Sequence, residues 1–377
     1  MEFNDLEKIR LEKIERLRQQ GIDPYPTRAE VSQSIAEALG FFTEFEKNKT
    51  ESSPAPQTSV GGRIRSKRPM GKLAFSHIED GSGRIQLMLR VNELGQEKVD
   101  LFNDLLDLGD FIQASGDLMR SRTGEITLLV KDYKLLSKAL TPLPAAKDEE
   151  VGGQVVRHAT LTDPETRYRE RYADLAVNPE VRETFQTRGR IVRALQEFLD
   201  NLGFLEVETP ILQPLYGGAA AKPFTTHHNQ LKQDLYLRIS FELYLKRLLV
   251  GNLERVYEIG RDFRNEGVSY KHNPEFTQLE FYWAYADYLQ VMQLTEQMVS
   301  SACQKVNGSM KVAYQNYEID FTSPWQRLEM RAGLKAVTGI DIAEHADADS
   351  LYKALVKNGK QPDPKATRGK LIDFMLS

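Results

Sequence analysis

Cysteine is almost missing from this chain of 377 residues, in which Cys303 is the single example. One thiol cannot form an intramolecular disulfide or a cysteine-based zinc site, so the sequence excludes both kinds of cross-link within the chain. The low cysteine content favours a reducing compartment. Cys303 lies in a predicted helix, where we interpret it as a small buried side chain.

Long apolar runs and a strong net charge are missing as well. No run approaches the roughly 20 apolar residues that a membrane helix needs. The chain is charged from Glu2 onward and lacks the apolar segment of a secretory signal, so we expect no membrane partner and a cytoplasmic location. The formal net charge of −4 means that any nucleic-acid contact must come from local basic clusters.

The texture of the sequence divides the chain into four segments. We predict a helical extension with its linker at 1–58, a barrel at 59–142, a second linker at 143–180 and a mixed domain at 181–377. Within the first segment, helices are predicted at 4–20 and 30–42.

Short alternating stretches separated by glycine-rich turns dominate the second segment. They predict strands at 61–67, 72–79, 84–91, 111–120 and 125–136, with one helix at 93–106. Five strands with a helix after the third is the order of an OB-fold barrel, which binds oligonucleotides. An SH3-like barrel fits the pattern about equally well, so pattern alone leaves the two folds open.

A predicted antiparallel hairpin carries the most informative side chains. Because successive residues of a strand point to opposite faces, four of them share one face: Phe276, Gln278, Glu280 and Tyr282. Arg264 can join this row from the other strand. The alternative is a solvated hairpin with ordinary cross-strand ion pairs. The strings FRNE and HNPEF beside the row argue against that alternative, and the row suits a ligand.

Several strings, taken in order, carry a resemblance to a known family. FRNEG at 263–267 with HNPEF at 272–276 resembles motif 2 of class II aminoacyl-tRNA synthetases, and LGFLEVETP at 202–210 resembles their motif 1. GGAAAKPF at 217–224 and ELYLK at 242–246 narrow the resemblance to the lysyl-tRNA synthetases. The resemblance runs from the first predicted helix to the last residue.

The resemblance implies an α+β multidomain protein with an OB-fold anticodon-binding barrel and a class II antiparallel-sheet catalytic domain. The implied activity is that of a lysine–tRNA ligase, in which ATP activates L-lysine to lysyl-adenylate before transfer to the 3′ end of tRNA(Lys). Magnesium would bridge the phosphates. A homodimer formed through motif 1 is also implied.

The resemblance assigns the ATP site residue by residue. Arg264 would be the catalytic arginine, whose planar fork suits both the α-phosphate and the lysine carboxylate. Glu266, His272 and Asn273 would lie near the adenine and the outer phosphates, and Phe276 would stack on the adenine ring.

The lysine pocket is implied at Gly218, Glu242, Arg264, Glu280 and Tyr282. Gly218 matches a backbone turn that approaches the substrate, where a side chain would obstruct. Two carboxylates suit a substrate with two ammonium groups, whereas an aspartate site would need cations. This charge argument is independent of the resemblance.

Anticodon contacts are implied at Phe75, Gln86 and Glu125. A phenylalanine can stack on an unpaired base, while glutamine and glutamate can hydrogen-bond to base edges. For Phe75 alone, packing in the barrel core is an equally good interpretation. A local basic patch for phosphates is also predicted, consisting of Arg63, Arg65, Lys67, Arg68 and Lys72.

Three departures from the family pattern affect these expectations. The sequence shows no glycine-rich motif 3, so we expect a truncated and incomplete catalytic domain, with magnesium ligands beyond Ser377 and no metal site in this chain. Ser240 and Phe241 precede Glu242 where the family usually has a proline, which could loosen the helix start and shift that carboxylate. Lys222 replaces an arginine and loses its fork.

Three other functions remain open at this point. An aspartyl- or asparaginyl-tRNA synthetase shares the barrel and the motifs. A translation-factor lysyltransferase is related, although the attached barrel argues against it. A truncated, catalytically inactive tRNA-binding protein is the alternative of a different class.

Overall fold

A computed structural model describes residues 3–50, 53–144, 147–151, 154–158, 161–269 and 271–376. The predicted segments at 1–58 and 143–180 therefore lie partly outside the described residues. The chain forms two compact units, Met1–Arg182 and Glu183–Ser377. Each unit has its own core.

Two capped helices open the first unit. Helix α1 spans Asp5–Gln19, and helix α2 spans Ile35–Asn48. The prediction of a helix at 30–42 is wrong at both ends. The Ser34 side chain accepts from the backbone N–H of Glu37, and the Glu37 side chain accepts from the N–H of Ser34. This capping box sets the start of α2 at Ile35.

Five strands close into a barrel. The elements are β1 (Gln57–Met70), β2 (Leu73–Glu79), β3 (Arg84–Arg90), α3 (Val91–Leu94), α4 (Gln96–Leu105), β4 (Phe111–Arg120) and β5 (Ile126–Ser137). The strand order is β1-β2-β3-β5-β4, and β4 pairs back to β1. Strands β3 and β5 are parallel, and the other pairs are antiparallel. This order, with helices between β3 and β4, confirms the OB-fold rather than the SH3-like alternative.

Alternation along the strands separates the barrel core from the outer face. In β2 the even-numbered residues are buried and the odd-numbered ones are partly exposed. The β4–β5 pairing shifts register at Gly116, where a Cβ atom would lie 1.9 Å from the Leu129 carbonyl oxygen. Only glycine fits there. Strands β6 (Lys147–Val151) and β7 (Gln154–His158) follow as a hairpin, then helices α5 (Pro164–Arg169) and α6 (Arg171–Val177).

The second unit mixes helices with small sheets. After α7 (Pro179–Asn201), its elements are β8 (Leu205–Glu206), β9 (Leu212–Gln213), β10 (Thr225–His228), β11 (Gln233–Leu237), α8 (Glu242–Val250), β12 (Arg255–Phe263), β13 (Glu275–Trp283), α9 (Tyr288–Asn307), β14 (Lys311–Tyr314), β15 (Tyr317–Asp320), α10 (Met330–Thr338), α11 (Ala348–Lys357) and α12 (Arg368–Leu376). Strands β10, β11 and β9 form one sheet, and the β12–β13 hairpin pairs with β8 in another.

Strand β8 ends after Glu206. Pro210 has no N–H and cannot continue the strand. The Val207 N–H still donates to the Tyr257 carbonyl at 2.9 Å, and the N–H and hydroxyl of Thr209 then both donate to the Glu258 side chain. These bonds tie the end of motif 1 to β12.

Candidate functional site

The β12–β13 hairpin has one apolar face and one polar face. Ile259, Leu279, Phe281 and Trp283 pack with Leu199, Phe204, Tyr257, Leu294 and Met298 in a hydrophobic cluster. On the other face the register pairs Asp262 with Phe276 and Glu258 with Glu280. The predicted row of four side chains therefore shares one face, backed by a packed core.

Arg264 lies just beyond β12 and joins this row. Its backbone N–H donates to the Pro274 carbonyl at 2.8 Å, which fixes its place opposite β13. Its guanidinium carbon is 5.1 Å from the centroid of the Phe276 ring. The Nη2 atom donates to the Ile239 carbonyl at 3.5 Å, and the buried Nε has no hydrogen-bond partner among the described residues. The Nε–H of Arg264 is therefore an uncommitted donor within the described residues.

Glu280 is the centre of the row. One carboxylate oxygen accepts from the Ser240 hydroxyl at 2.8 Å and from Gln278 Nε2 at 2.8 Å. The other accepts from the Tyr282 hydroxyl at 3.4 Å. Burial and the negative charges of Glu280 and Glu242 raise the pKa of Tyr282. The phenol therefore stays protonated and can donate.

Gly218 approaches this carboxylate-rich region from its own loop. Its φ of +91° is in the left-handed region, and a Cβ there would lie 2.8 Å from both the Glu242 Cβ and the Ser240 Oγ. Any larger residue would collide with the start of α8.

The loosening expected at Phe241 is not found. The ring is fully buried with Leu245 and Val256, and the Glu242 N–H donates to the Ser240 hydroxyl at 3.1 Å. Phe241 therefore anchors the start of α8, which carries Glu242 beside Gly218.

The loop between β12 and β13 forms a small cavity of about 230 Å³. The five side chains implied for ATP all line it: Arg264, Glu266, His272, Asn273 and Phe276. Lys271 lines it too and was missed, although a cation beside a phosphate site is a signal that the sequence offered. An isolated bridge between Ser269 and His272 shapes the loop.

A buried ionic network on the same face as the row was also missed. Arg238 donates to the Glu258 carboxylate at 2.5 Å and to the Thr209 and Arg261 carbonyls at 3.0 and 2.8 Å. Its guanidinium carbon lies 4.1 Å from the Phe241 ring centroid. The signal in the sequence is the alternation of β12, which puts the carboxyl groups of Glu258 and Asp262 on the polar face, where buried acids need a cation.

The three residues predicted for anticodon contact meet on the outer face of the barrel. They line an open groove of about 660 Å³. Gln86 Nε2 donates to Glu125 at 2.7 Å, and Gln86 Oε1 accepts from the Thr127 hydroxyl at 2.9 Å. Phe75 is on the outward, partly exposed side of β2, so the core-packing interpretation of this ring is wrong.

His77 belongs to the same groove and was missed. Its Nε2 lies 2.9 Å from Glu125, and its Nδ1 lies 2.9 Å from the Ser66 hydroxyl. Burial is the largest influence on His77 and lowers its pKa. In the neutral ring, Nδ1 accepts from the Ser66 hydroxyl and the Nε2–H donates to Glu125. This bond holds the Glu125 carboxylate in the groove.

The predicted basic patch does not form one surface. Lys67 points inward and donates to the carbonyls of Phe102, Asn103 and Leu106, and burial lowers its pKa to about 8. Arg65 pairs with Glu79 at 3.4 Å. Arg68 lines the groove beside Phe75.

Comparison with known proteins gives matches over both units. Residues 163–361 match the family model for class II tRNA synthetases (D, K and N), and residues 58–136 match that for OB-fold nucleic acid binding domains. A lysine–tRNA ligase of Roseiflexus castenholzii is 49% identical over 378 aligned residues, covering 100% of this chain and 74% of that protein. The chain belongs to the lysine–tRNA ligase family of class II tRNA synthetases.

Other relatives agree with this assignment. The lysine–tRNA ligase of Chloroflexus aurantiacus is 48% identical over 100% of this chain and 74% of its own length. That of Clostridium novyi is 48% identical over 98% of this chain and 70% of its own length. These relatives favour lysine over the aspartyl and asparaginyl alternatives. Among the helices of the described residues, none is long and apolar enough to cross a membrane.

Proposed function

We propose that this synthetase activates L-lysine with ATP to lysyl-adenylate and transfers the lysyl group to the 3′ end of tRNA(Lys). The observation that carries the proposal is the row on the polar face of the hairpin. This row contains the guanidinium of Arg264, the aromatic ring of Phe276, the carboxylate of Glu280 and the phenol of Tyr282.

In the activation step, a lysine carboxylate oxygen attacks the α-phosphorus of ATP, and the bond to pyrophosphate breaks. Arg264 binds both anions and stabilises the charge that develops at phosphorus. In the proposed complex Phe276 stacks on the adenine, and Glu266, His272 and Asn273 contact the adenine and the outer phosphates. That all four side chains line one cavity supports these roles.

The lysine pocket is negative. Glu242 and Glu280 offer carboxylates to the two ammonium groups, Tyr282 offers its hydroxyl, and Gly218 leaves space for the substrate. Glu242 lies 2.5 Å from Lys246 Nζ, and a substrate ammonium would replace this partner. An aspartate side chain would meet repulsion here.

Magnesium typically accompanies ATP in this family, but its ligands are not assigned to this chain. Among the residues that the structure describes, no three His, Cys, Asp or Glu side chains come together to hold a metal ion.

The proposal includes recognition of the tRNA(Lys) anticodon by Phe75, Gln86 and Glu125, action in the cytoplasm and a homodimer formed through motif 1. Apolar side chains around motif 1 support the dimer, since Leu205, Leu212 and Leu215 are each about half or more exposed. Such a patch is typical of a protein interface.

Pyrophosphate exchange with each of the twenty amino acids tests the function. We expect exchange that depends on lysine. Exchange with aspartate or asparagine would favour the other members of the subclass. Binding of tRNA(Lys) without exchange for any amino acid would favour a tRNA-binding protein without catalytic activity.

A further inference from the structure

Asp262 is a buried carboxyl that the proposed reaction does not use. It lies on the polar face opposite Phe276, its side chain is 0% exposed, and neither oxygen has a hydrogen-bond partner among the described residues. A buried carboxylate without donors is costly, so the group either binds a proton or acquires a partner when the site fills.

The nearest cation is already committed to other groups. Arg238 Nε lies 3.4 Å from Asp262 Oδ1, but its N–H points to the Arg261 carbonyl at 2.8 Å. The Nη1 of Arg238 binds Glu258 at 2.5 Å. One arginine therefore serves two buried carboxyl groups, and Glu280 adds a third negative charge on the same face.

The charged groups that face Asp262 are Arg238, Glu258, Arg264 and Glu280. Burial is the largest influence and, with the two glutamates, outweighs the two arginines, raising the pKa of Asp262 to about 7. The geometry also favours a protonated Asp262. Arg238 already pairs with Glu258, so an ionised Asp262 would be a second negative charge beside it without a hydrogen-bond donor.

Arg264 supplies the complementary observation. Its Nε is also buried and without a hydrogen-bond partner among the described residues. Residues 262 and 264 point to the same face, with their Cα atoms roughly 6–7 Å apart as in any extended strand. Arg264 is among the charges that act on the Asp262 carboxyl, so the two unpartnered groups share one face of the hairpin without a hydrogen bond between them.

We propose that Asp262 is a positioning residue for Arg264. The Asp262 carboxyl carries a proton while the arginine holds an anion. The neutral acid offers its carbonyl oxygen to the arginine Nε–H and so orients the fork. Because the acid is uncharged, the positive charge of Arg264 remains available to the phosphate. Ionised Asp262 would instead neutralise Arg264 and repel the phosphate.

This inference rests on the proposed function, and its pH dependence follows by linkage. A bound phosphate places negative charge near Asp262 and raises its pKa, by about one unit for a like charge in this range. With a free-site pKa of about 7, the affinity for ATP falls about fivefold between pH 6 and pH 8. A residue that acts only by packing would not produce this dependence.

The test measures the dissociation constant of Mg-ATP at pH 6, 7 and 8 for the wild-type chain and for Asp262→Asn. Asparagine mimics the neutral acid and keeps its shape. The ratio of the two constants cancels the titration of ATP and of the other groups that the two chains share. The matched control is Asp349→Asn, which removes an exposed carboxylate from α11.

We expect wild type and Asp262→Asn to bind alike at pH 6, and the wild type to bind about fivefold more weakly than the variant at pH 8. A ratio that stays constant, or a variant that is weaker at every pH, would overturn the role of Asp262. If no chain binds ATP at any pH, the proposed function itself fails. The ¹³C resonance of the Asp262 carboxyl gives a second readout that needs no ligand: titration near pH 4 would also overturn the proposal.

Discussion

Two β-sheet faces of this synthetase each carry carboxyl groups, and the two faces differ in how exposed those groups are and in which donors they have. In the barrel groove, Glu125 is 45% exposed and is held by His77 and Gln86. On the polar face of the β12–β13 hairpin, Glu258 and Asp262 are buried, and neither oxygen of Asp262 has a donor among the described residues.

The difference matches what each face is proposed to bind. Bases are neutral, so a groove that reads them can keep its carboxylate solvated and paired. An amino acid with two ammonium groups and a nucleotide with several phosphates need strong, desolvated charge. The hairpin face therefore holds charge that is only partly compensated, and we expect it to be the less stable and more pH-sensitive of the two.

The largest expected effect is a loss of catalysis at the hairpin face that leaves RNA binding at the barrel groove unchanged. Arg264→Ala removes the cation proposed for the α-phosphate, so we expect lysine-dependent pyrophosphate exchange to fall by about 10²–10³-fold. Binding of an anticodon stem-loop should not change, because the groove is built from other residues. Arg261→Ala, an exposed arginine of the same strand, is the control. Loss of stem-loop binding in Arg264→Ala would contradict the separation.

The next effect concerns stability. The pKa of Asp262 is raised to about 7 in the folded chain and is near its ordinary value when unfolded. Protonation therefore stabilises the fold. This stability is complete below about pH 4 and is lost as the pH rises towards 7.

Asp262→Asn removes the group that ionises, so the variant should not lose this stability as the pH rises. A shift of about three pKa units corresponds to about 4 kcal/mol, and screening by water and relaxation of the site reduce it. We therefore expect the variant to exceed the wild type by about 2–3 kcal/mol in free energy of unfolding at pH 8, with the difference shrinking towards pH 4. Urea unfolding followed by circular dichroism measures it. Equal stability at both pH values would show that Asp262 is not held neutral.

The smallest expected effect is in the groove. Phe75→Ala removes a ring proposed to stack on one base, which is worth about 1–2 kcal/mol, or roughly five- to thirtyfold in stem-loop affinity. Pyrophosphate exchange should be unchanged. Phe111→Ala, which removes another partly exposed ring of the barrel, is the control because that ring lies outside the groove. Equal losses in the two variants would argue for a general packing effect.

The sequence predicted the barrel and the hairpin row because both depend on local alternation. Period two assigns Phe276, Glu280 and Tyr282 to one face without knowledge of any partner. The string NPEF and the motifs around it resemble the lysyl-tRNA synthetase family, and the comparisons confirm that family.

Features set by distant partners could not be predicted. Lys67 looked like a surface cation, but three carbonyls from residues 102–106 draw it inward. The lack of donors at Asp262 follows from Arg238 being committed to Glu258, which no local pattern in the sequence shows. The start of α2 differs in kind, because the Ser34–Glu37 capping box that sets it is a local feature of the sequence.

The central claim is that the hairpin face binds lysine through its carboxylates. Isothermal titration of lysine into the wild-type chain and into Glu280→Gln tests it most directly, with ATP titrated in parallel. We predict that the variant loses at least about tenfold in lysine affinity, because a buried ammonium would lose its counter-charge, while ATP affinity stays the same. Unchanged lysine binding by Glu280→Gln would contradict the account.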